Sequence, residues 1–427
     1  MNQVVHNVHT RLPANIHPVL HYALMPFSLV VVIFSTASIL PIFAWSMLLQ
    51  VFRWVFSKFP GVTPLGNWSA GLYHRVIDRL GRRVLTDPRD EPILAAVISL
   101  ALTSIPVFVA QLIVYDINYY LVLAYYGVVF GPNVRGYVRS FSAMHQEGHR
   151  PGGVLKGRSP YEKVCGTSFF YAFLSMPMGL IPHAVAHAQQ HHKENTGPLD
   201  LYASARYDHG NLWHFLRYMV RDLVHQQFMI TPFIYFWRKN KRPQAWIMLK
   251  GNIVFFSVVG ATAFYNWQIA LFYFMIPWGA SNFLLGIIHW IQHAFYGGQK
   301  DPKDYMVNTV SLKETPVNFL NEGLHLCHHH RAGVHWSESP ELMKKIEPKM
   351  RAADSIVFRD LSVVELYLYL TVFRWFNKLA EKLEPWEPMT HAEKIAHLKM
   401  RSKAAPEFYA ERGKYNSKAN ARLAVNA

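Results

Sequence analysis

Residues 246–293 read WIMLKGNIVFFSVVGATAFYNWQIALFYFMIPWGASNFLLGIIHWIQH, and this stretch decides the fold. It contains two apolar segments, Trp246–Tyr265 and Gln268–Ile288, each close to the roughly 20 residues that a helix needs to cross the hydrocarbon core of a membrane. A two-residue turn without lysine or arginine joins them. The stretch ends in HWIQH, in which His289 and His293 stand four residues apart. The pattern predicts a helical membrane hairpin that ends in two histidines on one face.

Three further apolar segments precede this hairpin, namely Ala23–Phe52, Ile93–Val114 and Ile117–Gly131. The third is short for a span, so we expect it to be tilted or to continue as helix beyond Pro132. The composition, 51% hydrophobic and 16% charged, is typical of a membrane protein. The sequence therefore predicts an all-α integral membrane protein with an N-terminal span and two transmembrane hairpins.

The charges predict which side of the membrane each loop occupies. The formal net charge is +16, with seven lysines and arginines between Arg53 and Pro92 and six between Val134 and Cys165. By the positive-inside rule these segments face the cytoplasm, toward which both hairpins then open. Beside apolar spans, the basic excess indicates an anionic lipid surface and no nucleic acid. We expect a bacterial inner membrane or endoplasmic reticulum protein.

Three segments do not fit as spans. Ser168–Pro182 is short and contains two prolines, so we expect an interfacial or re-entrant helix that does not cross. Leu361–Leu383 mixes apolar and charged residues, which predicts an amphipathic helix on the membrane surface or packed on the cytosolic domain. The last 30 residues, rich in lysine, arginine, alanine and asparagine, are expected to form a solvated tail.

The chain thus divides into three predicted parts. Residues 1–92 form the N-terminal span and a basic cytosolic segment, and residues 93–340 form the membrane domain with a cytosolic helical cap. Residues 341–427 form a cytosolic helical region and the basic tail.

Histidine is the unusual residue of this sequence, since 12 of 23 copies fall in four short clusters. The clusters are His145 and His149; His183, His187, His191 and His192; His289 and His293; and His325, His328, His329 and His330. On a helix, histidines four residues apart share a face and can bind one metal ion. Imidazole suits iron, copper, zinc and nickel. One zinc ion takes four protein ligands at most, so this many histidines indicates two metal ions.

Carboxylates beside the clusters are expected to accept hydrogen bonds from the ligand imidazoles. These carboxylates are Glu147, Glu194, Asp200 and Glu322. The two cysteines, Cys165 and Cys327, indicate no disulfide framework, and Cys327 is interpreted as a filler between histidines. A histidine-rich metal transporter is an alternative, but it would place its ligands near the bilayer midplane within broken helices.

At these residues the sequence resembles the membrane fatty acid desaturase superfamily, which includes the alkane-hydroxylase-type monooxygenases. HQEGH, HAQQHH and HLCHH match its histidine boxes, and the resemblance extends over about residues 90–340. It implies nine metal ligands, namely His145, His149, His187, His191, His192, His293, His325, His328 and His329. His289 is the alternative to His293 as the isolated ligand of the family, and His183 and His330 stay open as ligands.

The resemblance also implies two iron ions, O2 as co-substrate, and electrons from a separate ferredoxin, cytochrome or reductase. A fatty acyl or other lipid chain would be the substrate and desaturation the expected reaction. The alternatives are hydroxylation, ketolation and oxidative decarboxylation. The HxxxHH spacing and HKENTGPLDLYAS are like the hydroxylase branch, whereas NEGLHLCHHHRAGVHW is like bacterial acyl desaturases.

Overall fold

A computed structural model describes residues 18–59, 62–150, 153–157, 169–179, 183–194, 200–223, 228–298 and 304–405. These residues form two compact units. The first unit contains the described residues up to Val32, residues 186–245 and those from Leu285 onward. The second contains residues 33–185 and 246–284.

Helices dominate the secondary structure, as the sequence predicts. Up to residue 245 they are α1 Pro18–Phe56, α2 Val62–Val84, α3 Glu91–Val114, α4 Tyr119–Val129, α5 Arg135–Gly148, α6 Phe169–Ser175, α7 over 183–194, α8 Leu212–Tyr218 with a following π-turn, and α9 Ile230–Arg238. The later helices are α10 Arg242–Tyr265, α11 Trp267–Gln292, α12 Tyr305–Asn308, α13 His325–His330, α14 Ser339–Ala352, α15 Val363–Val372, α16 Phe376–Lys382 and α17 His391–Arg401. The strands are β1 Ser311–Lys313 and β2 Val357–Arg359.

Among the described residues, four helices are long and apolar enough to cross a membrane. Their candidate spans are Ala23–Phe56, Pro88–Val114, Arg242–Tyr265 and Trp267–Gln292. Helix α10 exposes Ile253 and Phe264, whose exposed fractions are 54% and 97%. Apolar side chains in such a row are stable against lipid rather than water. The expected all-α membrane architecture is confirmed.

The turns of the two predicted hairpins are bonded to each other within the second unit. Asn266, between α10 and α11, caps Gln268 N at 2.9 Å and donates to the carbonyl of Tyr115 at 2.8 Å. The Tyr265 hydroxyl donates to the carbonyl of Leu112 at 2.9 Å. These bonds satisfy backbone carbonyls at the end of α3 that the helix itself leaves unpaired. The turns of both hairpins therefore lie side by side.

The prediction for Ile117–Gly131 is only partly right. Helix α4 is 11 residues long, begins at an Asn118 cap and ends at Val129. It does not continue past Pro132, because Gly131 and Asn133 have positive φ values of 66° and 51°. The Ser46 hydroxyl donates to the carbonyl of Gly131 and accepts from Val134 N at 2.6 Å, which stabilises this break. The chain then starts again as α5, which carries the first histidine cluster.

Two predictions for the C-terminal region are wrong. Leu361–Leu383 is not one amphipathic helix, since α15 ends at Val372 and Arg374 has a positive φ of 56° before α16 begins. The last 30 residues are not all solvated, because Leu398 and Arg401 of α17 are fully buried. Residues 406–427 lie outside the described part of the chain.

The prediction that Ser168–Pro182 does not cross the membrane stays a prediction. Of this segment the structure describes α6 and a 3-10 turn at Met176–Met178, whereas residues 180–182 lie outside the described residues, as does Cys165. The three-part division at residues 92 and 340 also stays a prediction.

A small α/β core supports the last histidine cluster in the first unit. Strands β1 and β2 pair in parallel, with Leu312 opposite Phe358. Beside them, α12, α13 and α14 contribute to one apolar core, whose buried members are Met306, Leu326, Cys327, Met343, Ile346, Met350 and Val357. The apolar face of α13 is thereby anchored, and the helix is held firmly enough to present its histidines in a fixed direction.

Candidate metal centre

Four histidines of the first unit converge into a fully buried tetrad. They are His191 of α7, His293 directly after α11, and His325 and His329 of α13. One ligand nitrogen from each lies within 4.8 Å of the others. The ring centroids of His293 and His329 are 4.8 Å apart, and those of His325 and His329 are 4.7 Å apart. This arrangement can hold one metal ion.

A second group of histidines lies next to the tetrad in the same unit. We call His187, His192 and His328 the triad. The Nε2 atoms of His187 and His192 are 3.0 Å apart, and the rings of His192 and His328 have centroids 4.4 Å apart. The ring of His192 also stacks on that of His329 at 4.6 Å, so triad and tetrad share a boundary. The triad can supply three ligands to a metal ion.

The backbone of α7 explains how one short segment serves both groups. His187–His191 forms a π-turn, in which the N–H of His192 donates to the carbonyl of His187. In an α-helix, residues five apart would point about 140° apart. An i→i+5 turn instead brings His187 and His192 together and leaves His191 facing the tetrad. Single π-turns are frequent at functional sites.

A buried carboxylate orients His191. Its Nδ1 lies 2.7 Å from Oδ2 of Asp200, and both side chains are almost fully buried. The other carboxylate oxygen accepts from Tyr202 N at 2.9 Å, which holds the carboxylate in place. Since a carboxylate accepts, Nδ1 carries the proton and Nε2 keeps its lone pair for a metal. Asp200 is one of the carboxylates that the sequence predicts to accept a hydrogen bond from a clustered imidazole, and it accepts one from His191.

An amide orients His293. Its Nδ1 lies 3.3 Å from Oδ1 of Asn308 and 3.5 Å from Oγ1 of Thr309. Its Nε2 is buried and has no hydrogen-bond partner in the described part of the chain. A buried polar atom without a partner is costly, and a bound metal ion would remove that cost. The site therefore fits a metal by its own geometry.

The electrostatics of the tetrad also favour a metal ion. Burial is the main reason that the pKa values of His293 and His329 lie well below the ordinary value, and neighbouring histidines lower them further. Both rings are therefore neutral at physiological pH, which is the form that binds metal. All four donors are imidazole nitrogens, a set that suits iron, copper or zinc rather than magnesium or calcium.

The first predicted cluster lies in the second unit. His145 and His149 stand on successive turns at the end of α5, with their Nε2 atoms 3.2 Å apart. Glu147, between them, accepts a hydrogen bond from Val154 N at 2.8 Å. The two imidazoles thus have the helix spacing of a ligand pair.

The remaining candidates have other neighbours. The ring of His289 faces Tyr202 at 4.6 Å, and His293 rather than His289 stands in the tetrad, but a ligand nitrogen of His289 lies within 4.8 Å of one of His187. His330 Nδ1 bonds the Tyr305 hydroxyl at 2.8 Å. His183 is buried at the start of α7, in the second unit.

The structure also shows the surroundings of the other two predicted carboxylates and of Cys327. Glu194 accepts from the Tyr235 hydroxyl, and Glu322 is half-buried in the turn before α13. Cys327 packs in the apolar core, and burial raises the pKa of its thiol to about 12, as expected of a filler.

Sequence reasoning did not find Asn308, Thr309, Tyr202 and Tyr305. Each contacts a histidine of the clusters, but none stands in a histidine box. Asn308 lies 15 residues from His293 along the chain, in a segment without a recognisable motif. Only the fold brings it to the ring.

The described residues combine buried groups of histidines that could hold metal ions with four candidate membrane spans, which is the combination expected of membrane-bound metalloproteins with an all-nitrogen ligand set. The sequence model of one family, fatty acid desaturase, matches residues 119–360, which is more than half of the chain. The chain therefore belongs to the fatty acid desaturase family. No significant match is found among curated proteins.

Replacing Asp200 by asparagine tests the geometry around His191. Without the carboxylate, Nδ1 of His191 loses its charged acceptor, so we expect the affinity for a metal at the tetrad to fall about 10- to 100-fold. Metal titration of the metal-free protein measures this. Asp360→Asn is the matched control, because Asp360 pairs with Lys382 at the surface. Equal affinities in Asp200→Asn and the control would contradict the assigned role of Asp200.

Proposed function

We propose that the protein is a membrane-bound non-haem di-iron oxidoreductase that uses O2 and external electrons to desaturate a fatty acyl chain. The observation that supports this most strongly is the pair of adjoining histidine groups in the first unit of a fatty acid desaturase family member. Family membership supports oxidation of a lipid, and the two groups support two metal ions.

The proposed ligands are the nine histidines that the resemblance implies. The tetrad would bind one iron, and the triad would bind the other. His145 and His149 belong to the second unit, and they enter the proposal as ligands on their helix spacing and on the HQEGH box alone. His183, His289 and His330 are left out because they are not among the nine ligands that the resemblance implies, and they stay possible ligands. Bound iron, with O2, would supply the oxidising power needed against an unactivated C–H bond.

The chain's own residues contribute orientation and exclusion of water. Asp200 and Asn308 fix two imidazole rings, and the other ring nitrogen of each stays available. Every member of the tetrad is at most 5% exposed, so water would be largely kept from the metal. A dry site protects reactive species from side reactions and favours attack on the bound chain.

Hydroxylation is the second candidate reaction, and one observation favours it. The second box has the longer HxxxHH form, accommodated by the π-turn of α7, and this form is like the hydroxylase branch. Ketolation and oxidative decarboxylation would use the same machinery. A transporter is less well supported, because His187, His192 and all of α13 lie outside the four candidate spans.

The location and the electron donor are part of the proposal. The positive-inside rule supports histidine boxes on the cytoplasmic side of a bacterial inner membrane or the endoplasmic reticulum. Electrons would come from a separate ferredoxin, cytochrome or reductase, and the basic chain would favour an acidic one.

Expression in a bacterial host, followed by mass spectrometry of its lipids, tests the reaction. We expect new acyl chains that are two hydrogens lighter than their precursors, absent from cells that express the His145→Ala/His149→Ala variant. A hydroxyl group instead of a double bond would select the second candidate. No change in any lipid under conditions that load the protein with iron would contradict oxidation of acyl chains.

A matched pair of neighbouring histidines tests the ligand set. His329→Ala removes a tetrad ligand, so we expect the purified protein to hold about one iron fewer per chain than the unmodified protein. His330→Ala removes a ring that bonds Tyr305 instead, so its iron content should be unchanged. Iron analysis of both purified variants is the measurement. An equal loss of iron in the two variants would contradict the assignment of His329 as a ligand and of His330 as a residue outside the ligand set.

A further inference from the structure

Arg401, the last residue of α17, is a fully buried arginine. It lies beyond the region that the fatty acid desaturase family model matches, so the family resemblance assigns it no role. A buried cation needs strong partners to offset its loss of hydration. Its partners show what the C-terminal helix holds together.

The guanidinium group donates to three separate parts of the chain. One nitrogen, Nη2, donates to the carbonyls of Phe295 at 3.1 Å and of Val307 at 2.7 Å. The other, Nη1, donates to the carbonyl of Asp354 at 2.7 Å and to its carboxylate at 2.9 Å. Burial lowers the pKa of Arg401 to about 10, with Asp354 acting in the opposite direction, so the group stays charged at neutral pH.

Two of these partners flank the hydrogen bond that orients a tetrad histidine. Phe295 stands two residues after His293, and Val307 stands one residue before Asn308. A single nitrogen of Arg401 therefore joins the segment that carries the imidazole to the segment that carries its amide partner. The distance from Nδ1 of His293 to Oδ1 of Asn308 depends on both segments.

The backbone around Arg401 strengthens this connection. Gly297 N donates to the carbonyl of Arg401 at 2.8 Å, and His209 N donates to the carbonyl of Ser402 at 2.9 Å. A Cβ atom at Gly297 would lie only 2.1 Å from the carbonyl oxygen of Met400, so only glycine allows this approach. The Ser204 hydroxyl bonds His209 Nε2 at 2.9 Å and the carbonyl of His293 at 3.2 Å.

Directional bonds distinguish this contact from ordinary helix packing. Apolar side chains could anchor α17 with less desolvation, but they would not fix two carbonyls at set distances from one atom. A planar guanidinium with five N–H donors can do so, whereas a lysine ammonium on a flexible stem cannot match its geometry.

We propose that Arg401 is a positioning residue of the metal centre, holding His293 and Asn308 in the register that lets His293 complete the tetrad. The role rests on the proposed function, since it presumes that the tetrad binds a metal. Arg401 itself touches neither metal nor substrate.

Metal binding by the Arg401→Lys variant tests the proposal. Metal-free full-length protein in detergent is titrated with Co2+, whose absorption reports the ligands around each bound ion. We expect one of two binding events to weaken at least 10-fold and its absorption to change, while the other keeps the affinity of the unmodified protein. Lys399→Gln removes an exposed charge from the same turn of α17 and should leave both events unchanged.

Three results would overturn the proposal. The first is unchanged Co2+ binding in Arg401→Lys. The second is equal weakening of both Co2+ binding events in this variant together with a lower unfolding temperature. The third is an equal effect of Lys399→Gln on Co2+ binding. If the unmodified protein bound no metal at all, the proposed function would fail and the positioning role with it. Metal binding by the unmodified protein with no selective effect of Arg401→Lys would overturn the positioning role alone.

A measurement on the unmodified protein covers the case in which Arg401→Lys does not fold. Coupling between sites is reciprocal, so a metal at the tetrad should stabilise the segment that positions it. We expect bound Co2+ to slow hydrogen exchange at the amides of Gly297 and of residues 391–405. Metal binding without slower exchange in these amides would overturn the proposal.

Discussion

The metal centre depends on one constraint, which is the division of two pairs of adjacent histidines between two sites. His191 and His329 face the tetrad, whereas their neighbours His192 and His328 face the triad. Adjacent residues on a helix point about 100° apart, so each pair can serve two sites only if these lie side by side. The π-turn of α7 divides His191 and His192 between the two groups, and α13, packed in its apolar core, divides His328 and His329 between them.

Burial of the histidines links metal binding to the stability of the folded protein. Nε2 of His293 is buried without a hydrogen-bond partner in the described part of the chain, which costs free energy. Binding of a metal there is then coupled to the folded state, because the metal replaces that missing partner. Asp200, Asn308 and, by our proposal, Arg401 limit the directions in which the rings can point.

The sequence predicts the spans and the histidine boxes because both depend on local periodicity. A run of apolar residues is sufficient for α1, α3, α10 and α11, and the four-residue spacing of His145 and His149 is sufficient to predict a shared helix face. Asn308 and Arg401 could not be predicted, since their contacts with other segments arise only in the folded chain. The break at Arg374 and the burial of Arg401 also depend on tertiary contacts, which outweigh a local composition typical of a surface helix or a tail.

Iron K-edge X-ray absorption of the iron-loaded protein tests the central claim most directly. Nine proposed histidine ligands for two irons predict a first shell dominated by imidazole nitrogen, with four to five imidazoles per iron on average. The outer-shell scattering of the imidazole rings should be correspondingly strong. A shell dominated by carboxylate oxygen, or one with fewer than three imidazoles per iron, would contradict the account.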